Sequence, residues 1–248
     1  MKIIVTGAAG RMGSALRASI GEGYRGAELA AAVDLFAKDG EFLPRIDDFE
    51  GDADAIVDFS NHASAPELCA YAVRRGLPIV IATTGHTPEE LGAIKAASAS
   101  VPVFHSANMS LGVAVLCDLT RRAVRMFPDA DIEITEAHHN RKLDSPSGTA
   151  LMLLDAVKSA YPDEREAVFG RHGRDCKRQH QEIGMHSLRG GTVTGEHEVC
   201  FFGTGERIRI SHSAENRGVF AAGALRAAAF LMNQQPGMYS MDDVVGQL

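Results

Sequence analysis

The first 109 residues alternate between short apolar runs of strand type and longer stretches whose apolar residues have helical spacing. The order along the chain is strand, turn and helix, repeated. The predicted strands are 3–5, 28–34, 53–59, 78–83 and 101–105, and the predicted helices are 14–20, 63–75 and 88–98. Repetition of this kind predicts a parallel sheet whose ligands bind beyond the carboxyl ends of the strands.

The pattern changes after residue 109. A helix is predicted at 111–127, a strand with alternating apolar residues at 131–137, and a second helix after Ser147. Three more alternating runs, joined by short links that contain glycine, predict an antiparallel meander within a mixed sheet. These runs are 184–189, 193–202 and 206–211. We therefore expect an α/β protein with a parallel-sheet domain and a smaller α+β domain.

The domain boundaries follow from the two patterns. The last helix, 216–232, has no partner strand and is expected to return to the first domain. This assigns residues 1–109 and 217–248 to the first domain and 110–216 to the second. One face of the second sheet packs on helices, so its other face needs water or another subunit, and we expect oligomerisation.

A glycine-rich turn joins the first strand to the first helix. Its spacing, G-x-x-G-x-x-G over Gly7, Gly10 and Gly13, is a variant of the dinucleotide-binding fingerprint. Glycine lets the backbone approach a pyrophosphate closely, and the helix N-terminus favours its charge. Taken alone, such a pattern also fits an ordinary tight turn.

The second predicted strand strengthens the dinucleotide interpretation. It ends at Asp34, 21 residues after Gly13, where a carboxylate that binds a ribose is expected. A helix or turn cap is the alternative role for this acid. Leu35 follows it where an arginine would favour a 2′-phosphate, so the sequence favours NADH, although Lys38 or Arg11 could still reach a phosphate. Polar residues after the later strands, near Ser60, 82–85 and 106–109, are expected at the nicotinamide end.

The greatest concentration of candidate catalytic and binding residues lies at 138–150, directly after the strand at 131–137. His138 and His139 stand at a strand end, where they face opposite sides, so they are not expected to bind one metal ion together. Lys142 follows four residues after His138, and Ser147 can cap a helix whose N-terminus attracts carboxylate. Surface histidines and a plain cap are the alternatives for each residue alone. The combination favours proton transfer on a small acidic substrate.

Composition excludes several classes of protein. The net charge of −7 argues against a surface for nucleic acid or anionic membranes. The four cysteines show no C-x-x-C pair, so neither zinc nor a disulfide framework is expected. The N-terminal apolar run is too short for a signal peptide or a membrane span, and we expect a cytoplasmic protein.

With these motifs in view, the chain resembles the dihydrodipicolinate reductase (4-hydroxy-tetrahydrodipicolinate reductase) family of diaminopimelate and lysine biosynthesis. The resemblance covers nearly the whole chain, and the segment from Glu136 to Ala150 is its most specific part. The other matching segments are 7–13, 57–60, 83–85, 107–110, 195–197 and 213–217.

The resemblance implies a Rossmann-type cofactor domain, a substrate domain with a mixed four-stranded sheet, and a homotetramer assembled through those sheets. It also implies NADH or NADPH as cofactor and a small dicarboxylate as substrate, in its hydroxylated or its dehydrated form. The implied catalytic residues are His138 and Lys142, and the implied substrate ligands are His139, Ser147, Gly148 and Thr149. The implied cofactor contacts are Gly7, Ala8, Ala9, Gly10, Arg11, Met12, Asp34, Ala82, Thr83, Thr84, Ser106, Ala107, Asn108 and Met109.

Two positions depart from the family pattern. Ala82 stands where glycine is common, and Leu35 stands where some members carry arginine. The alternatives to this function are another two-domain dehydrogenase acting on an amino acid or aldehyde, and a sensor that binds a dinucleotide without consuming it.

Overall fold

Two sheets organise the chain, and each lies in its own compact unit. A computed structural model describes residues 1–36 and 40–247. The first unit comprises Met1–Leu111 and Arg217–Leu248, and the second comprises Gly112–Asn216. The predicted α/β class, with one parallel and one mixed sheet, is confirmed.

The strands are β1 (Lys2–Thr6), β2 (Glu28–Val33), β3 (Ala55–Asp58), β4 (Ile79–Ile81), β5 (Pro102–His105), β6 (Asp131–His138), β7 (Glu166–Phe169), β8 (Glu182–Arg189), β9 (Glu196–Phe202), β10 (Arg207–Ser213) and β11 (Gly237–Tyr239). The α-helices are α1 (Arg11–Gly21), α2 (Ala65–Arg75), α3 (Pro88–Ala97), α4 (Leu111–Met126), α5 (Gly148–Ala160), α6 (Gly218–Leu231) and α7 (Met241–Gly246).

The first sheet is parallel throughout, in the order β11-β5-β4-β3-β1-β2. Its middle strands β3 and β4 are wholly buried, as expected of a sheet covered on both faces. The sequence pattern did not predict β11, because three residues are too few to show a period. Helix α6 packs on this unit, and the backbone of Met109 approaches it at Gly223, where a Cβ would lie 1.7 Å from the Met109 carbonyl oxygen.

The second sheet has the order β10-β9-β6-β8-β7, which makes five strands rather than the expected four. The extra strand, β7, is a four-residue edge strand parallel to β8. The predicted meander is wrong at one pairing, because β6 lies between β8 and β9. It runs parallel to β8 and antiparallel to β9.

The link from β8 to β9 explains that order. It crosses the end of β6, where the Gly190 amide donates to the His138 carbonyl (2.9 Å) and the His139 amide donates to the Val193 carbonyl (2.8 Å). Gly191 supplies the left-handed conformation, with φ of +51°, that the crossing needs. The link therefore holds the backbone directly after β6.

One face of β6 packs in the core of the second unit. Ile132 and Ile134 meet apolar residues of α4 and α5, such as Leu116 and Leu153. Glu136 and His138 continue the same face, because side chains two apart on a strand share a side. The apolar alternation therefore aims a carboxylate and an imidazole into the protein.

All four cysteines are free thiols, and Cys176 is the exposed one. Burial raises the pKa of the Cys69 thiol to about 11, so that thiol is unreactive near neutral pH. Within the described part of the chain, none of the helices combines the length and apolarity that crossing a membrane requires.

Candidate active site

The turn between β1 and α1 leaves no room for a Cβ at Gly7 or at Gly13. Gly7 has φ of +70°, and a Cβ on it would lie 2.4 Å from the Phe59 carbonyl oxygen. A Cβ on Gly13 would lie 2.1 Å from the Gly7 carbonyl oxygen. Side chains at either position would fill the turn or force it apart. These residues therefore fit the pyrophosphate of a dinucleotide, which needs bare backbone at a helix start.

Asp34 is held at the mouth of this turn. Its Oδ2 accepts from the Ala9 amide and its Oδ1 from the Phe36 amide, both at 2.9 Å. Gly7, Ala9, Gly10 and Asp34 line one cavity of about 920 Å³, a size suited to a cofactor. The same cavity receives Ser60 and Asn61 from the loop after β3.

The remaining predicted cofactor residues do not line this cavity. Ala8 is fully buried and Met109 is nearly so. Ser106 donates through its hydroxyl to the Asn108 carbonyl (2.8 Å), which shapes the turn after β5. Their roles as cofactor contacts stay predictions, and the set is Ala8, Arg11, Met12, Ala82, Thr83, Thr84, Ser106, Ala107, Asn108 and Met109. Lys38, the other cation considered for a phosphate, lies outside the described residues.

A buried carboxylate ties three strand ends of the first sheet together. Asp58 is 0% exposed and accepts hydrogen bonds from the hydroxyls of Thr6 and Thr83, both at 2.7 Å. The Ser60 amide donates to the same carboxylate at 2.9 Å. Asp58 thus fixes the ends of β1 and β3 and the segment after β4 relative to one another. The hydrogen bond to Asp58 also fixes the position of the Thr83 side chain.

Glu136 is the centre of the polar cluster in the second unit. It is 1% exposed, and both of its oxygens accept from the Arg189 guanidinium at 2.8 Å. It also accepts from His138 Nδ1 (2.6 Å) and from the Ser147 amide (3.1 Å). Burial opposes its ionisation, but the hydrogen bonds from Arg189 and His138, with smaller contributions from other donors, hold its pKa at about 2.

The bond to Glu136 decides which nitrogen of His138 is available for chemistry. An ionised carboxylate only accepts, so Nδ1 carries the proton and Nε2 is left for proton transfer. A Cβ on Gly195 would lie 3.1 Å from Nε2, so the backbone there is bare beside the ring. The predicted proton donor is therefore oriented by a neighbour two residues earlier on β6.

Ser147 caps α5, as predicted, by accepting from the Ala150 amide (3.2 Å). Its hydroxyl also lies 3.0 Å from His197 Nε2. Burial, reinforced by His138, lowers the pKa of His197 to about 4, so this imidazole is neutral at pH 7. The Nδ1 of His197 is buried and makes no hydrogen bond to any described residue. The Ser147 hydroxyl thus has two protein partners, and its role toward substrate stays a prediction.

Lys142 lies on the loop that leaves β6. Its Nζ pairs with Asp144 Oδ1 at 2.9 Å, and this hydrogen bond lowers the pKa of Asp144. The loop is anchored because Arg189 donates to the Asp144 carbonyl at 2.8 Å. Arg189 therefore anchors both the Lys142 loop and Glu136, and Glu136 in turn holds His138. Gly148 is exposed and Thr149 half-buried at the start of α5.

Comparison with known proteins identifies the family. Residues 1–109 match the model described as "Dihydrodipicolinate reductase, N-terminus", and residues 112–245 match "Dihydrodipicolinate reductase, C-terminus". The chain belongs to the dihydrodipicolinate reductase family. The resemblance predicted from the motifs is thereby confirmed, and the family is one of oxidoreductases that use a nicotinamide dinucleotide.

Relatives match over almost the full length. A protein of Caldanaerobacter subterraneus subsp. tengcongensis, named 4-hydroxy-tetrahydrodipicolinate reductase, is 45% identical over 99% of this chain and 98% of its own. One of Clostridium tetani with the same name is 40% identical over 98% and 96%. The solved structure of a dipicolinate-bound dihydrodipicolinate reductase from Paenisporosarcina sp. TG-14 has a TM-score of 0.78 at 21% identity, covering 98% of this chain and 99% of that one, which shows the shared fold.

The sequence patterns did not predict several residues that the structure places in the cavity around Asp34 or in the polar cluster around Glu136. Glu136 lay inside the resembling segment, but no role was predicted for it. Arg189 comes from β8 and His197 from β9, and only strand order places them beside β6. Arg45 lines the cavity with Asp34, and nothing in its sequence neighbourhood indicates this.

Proposed function

We propose that this protein uses NADH or NADPH to reduce 4-hydroxy-tetrahydrodipicolinate to tetrahydrodipicolinate, in diaminopimelate and lysine biosynthesis. The observation that carries the proposal is the His138 imidazole, fixed by buried Glu136 on the strand that leads into the Lys142 loop. Family membership supplies the substrate class. Residues 1–109 and 217–248 then form the cofactor domain, and 110–216 form the substrate and assembly domain.

The chain's own residues provide charge stabilisation and proton transfer. When bound, the reduced nicotinamide supplies a hydride to C4 of the ring, which has lost water. Lys142 stabilises the negative charge that develops on the ring, and His138 transfers the proton through Nε2. His139, Ser147, Gly148 and Thr149 bind the substrate carboxylates, with the N-terminus of α5 favouring the anion. Loss of water from the substrate, followed by gain of one hydride and one proton, accounts for the conversion to tetrahydrodipicolinate.

The cofactor residues act mainly through backbone. The turn 7–12 accepts the pyrophosphate, and Asp34 binds the ribose hydroxyls. Residues 82–84 and 106–109 complete the nicotinamide end. Because Leu35 rather than arginine follows Asp34, we propose that NADH serves at least as well as NADPH. A cytoplasmic location stays a prediction.

A single assay tests substrate and reaction together. The purified protein receives the freshly formed condensation product of pyruvate and aspartate semialdehyde, and the absorbance of NADH is followed. We expect NADH to disappear only when both precursors have been condensed. Reactions without substrate, and with a panel of amino acids and aldehydes, serve as controls. Turnover of a panel member would favour another dehydrogenase, and NADH binding without consumption by any substrate would favour a sensor.

We also propose that the protein is a homotetramer assembled through the second sheet. Its face opposite α4 and α5 carries the half-exposed apolar residues Leu188 and Phe202 together with charged side chains such as Glu133 and Arg209. Such a face is covered most simply by another copy of itself. Sedimentation analysis is expected to give four times the chain mass of 26.5 kDa. A monomer at micromolar concentration would contradict the proposal.

A further inference from the structure

An arginine, Arg45, lines the same cavity as Asp34. The Asp34 amide donates to the Leu43 carbonyl, and the Leu43 amide donates to the Ala32 carbonyl, both at 2.9 Å. These bonds form a parallel bridge between Val33 and Leu43 and extend the edge of the first sheet. They fix the chain after Leu43 beside the end of β2. Arg45 consequently lines the same cavity as Asp34.

Arg45 is paired but accessible. It contacts Glu67 of α2 at 3.1 Å, with 61% of the Arg45 side chain and 48% of the Glu67 side chain exposed. Glu67 lines the cavity as well. Exposed ion pairs of this kind contribute little to stability, so a ligand anion can exchange with the carboxylate. The cavity therefore offers Arg45 as a cation, and the neighbouring Glu67 limits how strongly this cation attracts a ligand anion.

We infer that Arg45 contacts the 2′-phosphate of NADPH and that Glu67 limits the strength of this contact; the inference rests on the proposed function. Asp34 suits the ribose hydroxyl of NADH and repels a phosphate. Arginine presents several donors in a fork that matches phosphate oxygens. Since Glu67 competes for the same donors, the cavity accepts both cofactors without a strong preference for NADPH.

The experiment compares four proteins: the unmodified chain, Arg45→Ala, Glu67→Gln and the matched control Arg74→Ala. Arg74 is also a half-exposed arginine paired with an acid, Asp47, and it does not line the cavity. Dissociation constants and kcat/KM are measured for NADH and for NADPH. Arg45→Ala is expected to lower kcat/KM about tenfold for NADPH with little change for NADH, because one charge-assisted contact is lost. Glu67→Gln is expected to raise the value for NADPH alone, and Arg74→Ala is expected to change neither.

Other outcomes overturn the inference. An equal loss for both cofactors in Arg45→Ala would mean that the arginine stacks on the adenine or supports the fold. No change for either cofactor would leave Arg11 or Lys38 as the phosphate contact. Binding of NADH by the unmodified protein is the separate test of the proposed function, because its absence would contradict the cofactor site itself. If NADH binds normally but the ratio of kcat/KM for NADPH to kcat/KM for NADH is the same in Arg45→Ala as in the unmodified protein, only the role of Arg45 is contradicted.

Discussion

Replacing Glu136 with glutamine is expected to lower kcat about a hundredfold while leaving the Kd for NADH near that of the unmodified protein. Glu136 accepts bonds from Arg189, His138 and the Ser147 amide. A glutamine would direct its own NH₂ group at one of these donors. His138 would then lose the acceptor that fixes its proton on Nδ1, and Nε2 would no longer be consistently available.

A matched control lies three residues earlier on β6, at Glu133. Glu133 also binds two arginines, Arg171 and Arg178, and lies 2.6 Å from a histidine nitrogen, that of His186. It faces the opposite side of the sheet, so Glu133→Gln should leave the state of His138 unchanged. Ring nitrogen-15 shifts of His138 report the tautomer directly. A changed kcat with an unchanged tautomer would mean that Glu136 acts through packing alone.

Stability should depend on pH in a way that also reports on Glu136. Its pKa lies near 2 in the folded state, below the ordinary 4.5, so the folded state binds its proton less readily than the unfolded chain. The carboxylate therefore stabilises the fold fully above pH 4.5 and loses this effect as pH falls through 2. Above pH 4.5 Glu136→Gln should melt at a lower temperature than the unmodified protein, and the difference should shrink in acid.

Strand periodicity predicted much of this cluster. Alternation along 131–137 placed His138 at a strand end, and the two-residue period puts Glu136 on its side of the sheet. The cap at Ser147 could be predicted because serine before a helical run satisfies a free amide locally. Features of this kind depend on residues that are close in sequence, so they can be predicted from the sequence.

Contacts between distant segments could not be predicted in the same way. Periodicity gives the face of a strand but not its neighbours, so the insertion of β6 between β8 and β9 was missed. Arg189 and His197 reach the cluster only through that order. The bridge between Val33 and Leu43, which positions Arg45, could not be predicted from the sequence either, because a single paired residue shows no periodicity.

Replacing Lys142 with alanine is expected to lower kcat at least a hundredfold while NADH still binds normally. Its ammonium group lies on the loop after His138 and is held by Asp144, whose side chain is 60% exposed. An exposed partner exchanges readily, so the ammonium can turn to a substrate on which negative charge develops. Alanine removes that charge but leaves the anchor between Arg189 and the Asp144 carbonyl in place.

Arg141→Ala is the matched control, because it removes the neighbouring cation, which is exposed to solvent. If general positive charge on the loop attracts the dianionic substrate, both variants should raise KM to a similar degree. If Lys142 stabilises charge in the transition state, only its loss lowers kcat, since an interaction made solely in the transition state appears there. Unchanged turnover in Lys142→Ala would remove the ammonium from the mechanism and leave His138 as the sole predicted catalytic group.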